Sequence, residues 1–412
     1  MKVYSSFFRQ FLLIVILFFS TSIAQNFTPY NILISFDGFR WDYPNRGITP
    51  TFEMISEKGS SALSLQPSFP SKTFPNHYSI VTGLYPQNHG LISNNLYDPF
   101  FDEYFSLSNR AAVENSRWYK GEAIWETARK QGIVTASYFW PGSEIDIEYR
   151  RPNYFHYYDH DRPYMERIEG VIEWLKLPHN ERPKFITLYF DASDTYGHKY
   201  GPNSEGINKT VMSLDSLLNI LFGKLKEIKL LDSTNIIVVS DHGMNEISNQ
   251  RVINVDEIIS NSSYKSMDDG PFMFIYPEND NIDLIYHQLK EKQNNYRVYL
   301  KDEIPQHYNL SASHLLAEII IIADPGWSLV TNKTSSGYYS DKSSLGNHGY
   351  DNFHIDMHGV FYAIGPSFKE GYKTGTILNI DIYPLLCNIL NIKPKQNIDG
   401  KLERIQTLLK VY

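Results

Sequence analysis

Unbroken apolar runs, each closed by a carboxylate, recur along this chain. Asn31-Ile32-Leu33-Ile34-Ser35-Phe36 runs into Asp37-Gly38, and Phe185-Ile186-Thr187-Leu188-Tyr189-Phe190 runs into Asp191. Asn235-Ile236-Ile237-Val238-Val239-Ser240 runs into Asp241-His242-Gly243. Runs without polar alternation predict strands buried on both faces, as in a parallel sheet. Helical spacing lies between them, at residues 50–58 opening at Thr49, then 122–131, 164–175 and 211–227. A strand at 134–139, a last one at 360–366 and a last helix at 379–390 complete the series. The alternation predicts an α/β fold with a mostly parallel central sheet sandwiched by helices. From Asn254 the rhythm changes to strands at 270–276, 297–300 and 319–323 around a helix at 284–293. That α+β character predicts a smaller cap subdomain, 254–345, inserted into one catalytic domain spanning 25–412. There is no internal repeat and no low-complexity linker.

Open α/β sheets place ligands at the carboxyl edge of their strands, so Asp37, Asp241 and His242 are expected at the mouth of a site. Asp-Gly alone is foremost a turn signal. Two strands closing on Asp at one edge suggest one shared site. Adjacent Asp and His donors suit a divalent metal. Asp194 and His198, four residues apart, share a face if helical and can also converge in a turn pivoting at Gly197. In Pro67-Ser68-Phe69-Pro70-Ser71-Lys72-Thr73-Phe74-Pro75-Asn76-His77 three prolines hold the backbone extended around Thr73. Helical spacing resumes at 76–81 and stops at Gly83, which places Thr73 just before a helix N-terminus. Backbone N–H groups and the dipole there favour an anion. A hydroxyl in that place is a candidate nucleophile if something lowers its pKa. Taken alone, the same stretch reads as an N-cap threonine. Residues 89–99 read as a polar loop whose Asn94 can donate an amide hydrogen bond.

Composition narrows the setting. Lys2 and Arg9, the apolar run 11–19 and Ser22-Ile23-Ala24 read as a cleaved signal peptide over residues 1–24, followed by export to a periplasm or the extracellular space. The formal charge of -8 becomes -10 once Lys2 and Arg9 are removed. That balance argues against sequence-specific nucleic-acid binding and anionic membranes, which need basic surface. The only cysteine, Cys387, falls on an apolar helical face and cannot form an internal disulfide, which favours a bacterial envelope. Sequons at Asn26, Asn208, Asn261, Asn309 and Asn332 matter only in a glycosylating host.

Asp37, Thr73, Asp194, His198, Asp241, His242 and His348 together hold enough N/O donors for two tetrahedral metal sites. At this point the chain resembles the nucleotide pyrophosphatase/phosphodiesterase family of the alkaline phosphatase superfamily. The resemblance rests on Phe36-Asp37-Gly38-Phe39-Arg40, Phe69 to His77, Asn94 with Tyr97-Asp98-Pro99, and Phe139-Trp140-Pro141-Gly142-Ser143. Asp194-Thr195-Tyr196-Gly197-His198, Ser240-Asp241-His242-Gly243-Met244 and Asn347-His348-Gly349-Tyr350-Asp351 complete it. It implies two zinc ions, one held by Asp37, Asp241, His242 and the Thr73 hydroxyl, the other by Asp194, His198 and His348. It implies hydrolysis of nucleotide phosphodiester or pyrophosphate bonds to nucleoside 5′-monophosphates through a threonyl-phosphate. Asn94, with the backbone N–H of Phe74, would bind a non-bridging oxygen. Phe74, Tyr158 and Tyr189 resemble base-stacking positions, whose flat faces accept any base. The chain reads as a bare catalytic domain of the short bacterial type, acting as a monomer on a small-molecule nucleotide, with no transmembrane span in the mature chain. A lipid or choline phosphodiesterase would keep every metal ligand and change only the pocket. A binding module with a dead site would need no stoichiometric metal. A sulfatase needs Cys or Ser as its modifiable nucleophile, and Thr73 is neither. Monoester specialists usually offer extra cationic groups, and Lys72 is the only cation close to Thr73 in sequence.

Overall fold

The strand Tyr30–Phe36 is buried along its whole length and lies inside an eight-stranded sheet. The computed structural model describes residues 28–340 and 344–410, so the export segment expected over residues 1–24 lies outside the described residues. Tyr30–Phe36 pairs in parallel with Phe185–Phe190 on one side and Thr234–Val239 on the other. Thr135–Tyr138 and Tyr154–Phe155 extend the parallel part. Phe361–Ile364 is antiparallel to both of its neighbours, Thr234–Val239 and Ser60–Ala62. The sheet is therefore mostly parallel, as the apolar runs predict.

Both faces of this sheet are covered, which is why its strands lack polar alternation. Leu33, Ile237 and Val239 join one core, packed with Ile80, Val81 and Leu385. Ile32, Ile34, Ile236 and Val238 join the other, packed with Val171, Leu214 and Leu218. Successive residues of one strand thus enter opposite cores.

The helices sit near their expected places, with different ends. The helix expected over 211–227 begins six residues earlier, as Glu205–Glu227. Gly206 and Asn208 weaken the local propensity there, but Ser204 caps the helix by accepting from the Ile207 N–H (3.2 Å). The loop expected over 89–99 contains a strand, Asn95–Asp98, paired antiparallel with Glu103–Ser106. Its four residues are flanked by turn formers, which hide so short an element. The last helix is a 3-10 turn, Asn379–Asp381, followed by Ile382–Ile389. It buries Cys387.

Residues 254–345 carry a second sheet of four strands, ordered Tyr264–Met267, Phe272–Pro277, Ile319–Ala323, Tyr296–Leu300, all antiparallel. One face, with Met273, Ile275, Ile319 and Ile321, packs with Ile285 and Leu289 of the helix Ile282–Glu291. The other, with Phe272, Phe274, Ile320 and Ile322, merges into a core of the main sheet. No helix among the described residues is long and apolar enough to cross a membrane.

Candidate active site

The register of the parallel strands brings three chain segments level at one edge. Ser35 pairs with both Tyr189 and Val239, so Asp37, Asp191 and Asp241 emerge side by side. Two glycines permit the crowding that follows. Gly38 turns at φ +65°, where a Cβ would stand 3.0 Å from the Cα of Asp194. Its N–H donates to Asp241 Oδ1 (3.1 Å). After His242 a Cβ on Gly243 would come within 2.1 Å of the Asp356 carbonyl oxygen, so only glycine fits.

All seven side chains singled out in the sequence meet here. His242 Nε2 lies 3.3 Å from Asp37 Oδ1 and 3.1 Å from Asp241 Oδ2. Thr73 Oγ1 is 3.4 Å from the same nitrogen. Asp194 and His198 occupy one face of the helix Ala192–Tyr200, so the helical alternative holds and not a turn at Gly197. Asp194 Oδ1 lies 3.3 Å from His198 Nε2 and 3.4 Å from His348 Nε2. The rings of His242 and His348 stack at 3.5 Å between centroids, which joins the two groups.

The donor set fits divalent cations on two independent grounds. Each of the three imidazoles places Nδ1 against a backbone carbonyl at 2.8 Å: His198 on Gly346, His242 on Gly243, His348 on Ser71. An Nδ1–H donating there leaves the Nε2 lone pair directed into the site, the tautomer a metal ligand needs. Each of the three carboxylates also leaves one buried oxygen without a hydrogen-bond donor: Asp37 Oδ1, Asp194 Oδ1 and Asp241 Oδ2. A buried charged acceptor without a partner costs about 1–3 kcal/mol or more. Lone pairs facing bare carboxylate oxygens repel unless a cation lies between them. Burial, then the carboxylates of Asp241 and Asp194, push the Asp37 carboxyl well above its ordinary range, while the neighbouring imidazoles hold Asp194 and Asp241 below theirs against burial. Oxygen and nitrogen donors without a thiolate suit zinc or another first-row divalent ion.

Thr73 is the first residue of the helix Thr73–Thr82 and not the residue before it, with Lys72 at the N-cap. Pro75 is tolerated there because the first-turn N–H groups have no partner within the helix. The Phe74 N–H is not free. It donates to Asn94 Oδ1 (2.9 Å). The two groups expected to bind a non-bridging oxygen are thus hydrogen-bonded to each other.

A cleft of about 230 Å³ is lined by Thr73, Asp37 and Asp194 together with Phe74, Tyr158, Trp140 and Arg110. Phe74 leans edge-on against Phe105 (5.6 Å), and Tyr158 against Phe139 (5.2 Å). Glu144 fixes this wall by accepting from the Tyr158 N–H (2.8 Å) and from both Nη atoms of Arg110 (2.8 and 2.7 Å). Tyr189 also lines the cleft but is buried, and its hydroxyl donates to Asp37 Oδ2 at 2.6 Å. It therefore orients the Asp37 carboxylate.

Sequence reasoning quoted His77 inside a motif and gave it no role. It is fully buried, with Nδ1 2.9 Å from the Thr73 carbonyl and 3.3 Å from Asp241 Oδ2, and Nε2 2.8 Å from Ser35 Oγ. The spacing of Thr73 and His77, one helical turn, was the available signal.

The sequence matches the family model described as type I phosphodiesterase / nucleotide pyrophosphatase over residues 31–351. It is 36% identical over 381 residues to human ectonucleotide pyrophosphatase/phosphodiesterase family member 1, covering 90% of this chain and 41% of that protein. The chain thus spans less than half the length of that relative. It is 36% identical over 396 residues to the human bis(5′-adenosyl)-triphosphatase, covering 94% of this chain and 84% of that one. Among solved structures, murine ectonucleotide pyrophosphatase/phosphodiesterase 5, an inactive threonine-to-alanine variant in complex with AMP, superposes with a TM-score of 0.87 at 33% identity. That match covers 93% of this chain and 100% of the murine one.

Proposed function

Because the chain belongs to the type I phosphodiesterase / nucleotide pyrophosphatase family, we propose that it hydrolyses nucleotide phosphodiester or pyrophosphate bonds in two displacements at Thr73. The observation that carries this reading is the meeting of Thr73 Oγ1 with three bare carboxylate oxygens and three Nε2 lone pairs at one sheet edge. Asp37, Asp241 and His242, with the Thr73 hydroxyl, would hold one zinc ion, and Asp194, His198 and His348 would hold a second. When bound, such ions lower the pKa of a hydroxyl or a water and neutralise charge on phosphoryl oxygens.

The chain's own groups do the rest. The Thr73 oxygen bonds to phosphorus as the bond to the leaving oxygen breaks. The Thr73 proton is lost, and the leaving oxygen takes up a proton. Water then bonds to phosphorus, the Thr73–phosphorus bond breaks, and the hydroxyl returns with a nucleoside 5′-monophosphate released. Two inversions retain configuration at phosphorus. Asn94 donates its amide N–H to a non-bridging oxygen, where charge develops in both steps. Tyr189 holds Asp37 in place, and His77 ties the Thr73 carbonyl beside Asp241. The base lies between Phe74 and Tyr158, whose faces are half open to the cleft. AMP in the murine relative, and its inactivity without a threonine, support this assignment. The enzyme works outside the cytoplasm, as the ectoenzyme names of relatives and the composition of residues 1–24 suggest. Residues 254–345 form its inserted cap.

Thr73→Ala tests the reading. The variant is expected to bind zinc as the wild type does and to lose turnover of p-nitrophenyl thymidine monophosphate. Substantial residual turnover in that variant removes Thr73 from the nucleophilic role.

A further inference from the structure

A carboxylate outside the metal groups holds the catalytic loop from the far side of the chain. Asp268 follows the strand Tyr264–Met267 in a left-handed conformation, φ 62°. Its turn is anchored two residues on, where Gly270 exchanges hydrogen bonds with Leu329 in both directions, each 2.7 Å. From there it reaches into the main domain. Asp268 Oδ2 accepts from the Ser93 hydroxyl, and Oδ1 accepts from Asn95 Nδ2 (3.0 Å).

Ser93 and Asn95 flank Asn94. The two oxygens of one carboxylate therefore grip the residues on either side of the phosphate-oxygen donor. Asn94 is also held directly, because its carbonyl accepts from the Leu107 N–H (3.2 Å) and its Oδ1 from the Phe74 N–H (2.9 Å). Among the described residues none is recorded as accepting from its Nδ2. A short loop bearing Asn has no intrinsic reason to keep one rotamer, since Asn side chains readily bond to their own backbone instead. A displacement near 1 Å at a positioned donor costs about 10²-fold in rate.

We propose that Asp268 is a positioning residue for the hydrolytic reaction. Segment 254–345 also touches the following strand through Lys265 and Tyr276 on Tyr97, and Asp268 is its contact with the residues on either side of Asn94, the brace that fixes Asn94 toward the phosphoryl oxygen. This rests on the role given to Asn94 above. The brace is the pair of hydrogen bonds, beside which, against burial, the Lys72 ammonium favours the ionised form of the Asp268 carboxyl. An asparagine at 268 keeps both contacts, with its Oδ1 accepting from Asn95 and its N–H donating to the Ser93 oxygen. Alanine keeps neither.

The test compares N94A, D268A, D268N and the double variant N94A/D268A in the zinc-loaded full chain. The substrates are thymidine 5′-(p-nitrophenyl phosphate) and the two diastereomers of its phosphorothioate. N94A is expected to lose about 10²–10³-fold in kcat/KM, as for removal of one oxyanion donor. It should also shrink the oxygen-over-sulfur preference at one diastereomer only. D268A is expected to lose about 10²-fold, to shrink the preference at that same diastereomer, and to add nothing on the N94A background. D268N should recover most of the loss. Independent, multiplying losses in the double variant, or D268N as impaired as D268A, would overturn the brace and leave Asn94's role standing. Wild-type turnover in N94A would overturn the Asn94 role itself. If D268A has no cooperative unfolding transition, S93A/N95A removes the same two bonds from the other partner and is held to the same outcomes.

Discussion

Replacing Tyr189 by Phe removes one oxygen atom from the centre of the proposed mechanism and leaves the ring in place. The hydroxyl donates to Asp37 Oδ2 at 2.6 Å. The ring packs edge-on against His77 at 5.4 Å and Tyr158 at 6.1 Å, and neither contact needs the oxygen. A hydrogen bond to a charged group contributes about 1.5–3 kcal/mol. Asp37 would keep its bare Oδ1 and gain a second bare oxygen, so the carboxylate loses its fixed orientation. Partners of metal-bound carboxylates and imidazoles typically contribute about 10–100-fold in metal affinity, and that free-energy range gives the same order. Tyr189→Phe should therefore weaken zinc binding by about 10–100-fold. Titration of the metal-free protein against a chromogenic zinc chelator measures this. With zinc saturating, KM for a nucleotide diester should stay near the wild-type value. Zinc affinity within twofold of wild type together with a raised KM would refute the argument and make Tyr189 a base-stacking face.

Tyr158 should behave in the opposite way. Stacking of one base on an aromatic side chain contributes about 1–3 kcal/mol, so Tyr158→Ala should raise KM for nucleotide diesters about 10-fold with zinc content unchanged, and Tyr158→Phe should leave KM alone. Steady-state kinetics with metal analysis would decide, and an unchanged KM in the alanine variant would take Tyr158 out of the binding site. Stability should fall as pH falls, through two buried imidazoles that are not among the candidate metal ligands. Burial pushes His89 down to about 3 and His358 down to about 4 from 6.5. Both are satisfied in the neutral form, His89 Nδ1 accepting from the Leu91 N–H (3.3 Å) and His358 Nε2 donating to the Asn352 carbonyl (3.0 Å). Folded values below the unfolded one mean that the unfolded chain takes up protons first, so stability is full above pH 6.5 and declines toward the folded values. The loss is about 2 kcal/mol per imidazole at pH 5. Denaturant midpoints at pH 7 and 5 measure the slope, and His358→Gln should reduce it; an unchanged slope in that variant would refute the assignment.

What the chain discloses about itself follows from how its parts are fixed. The buried strands are legible because a segment covered on both faces tolerates no polar alternation, and Tyr30–Phe36 keeps every residue buried. The site edge is legible for the same reason, since a carboxylate closing such a run can only stand where the sheet ends. Short or atypical elements are not. Asn95–Asp98 offers four residues among turn formers, and Thr73–Thr82 starts earlier than its apolar spacing because Pro75 sits in its first turn. Least legible are contacts between side chains distant along the chain. Asp268 and Asn95 are separated by 173 positions, and nothing in either stretch names the other. Tyr189 resembles a stacking residue in sequence, and its hydroxyl's hold on Asp37 emerges only once Ser35 is set beside it in register. Parallel pairing carries the ligands to one edge whatever their spacing, so strand-end chemistry survives in the sequence. The bonds that orient those ligands depend on rotamers and on register between strands, and these are set by packing across the whole domain. The residues proposed to bind are thus readable from local pattern, and the residues packed behind them, His77, Tyr189 and Asp268, are readable only from the fold.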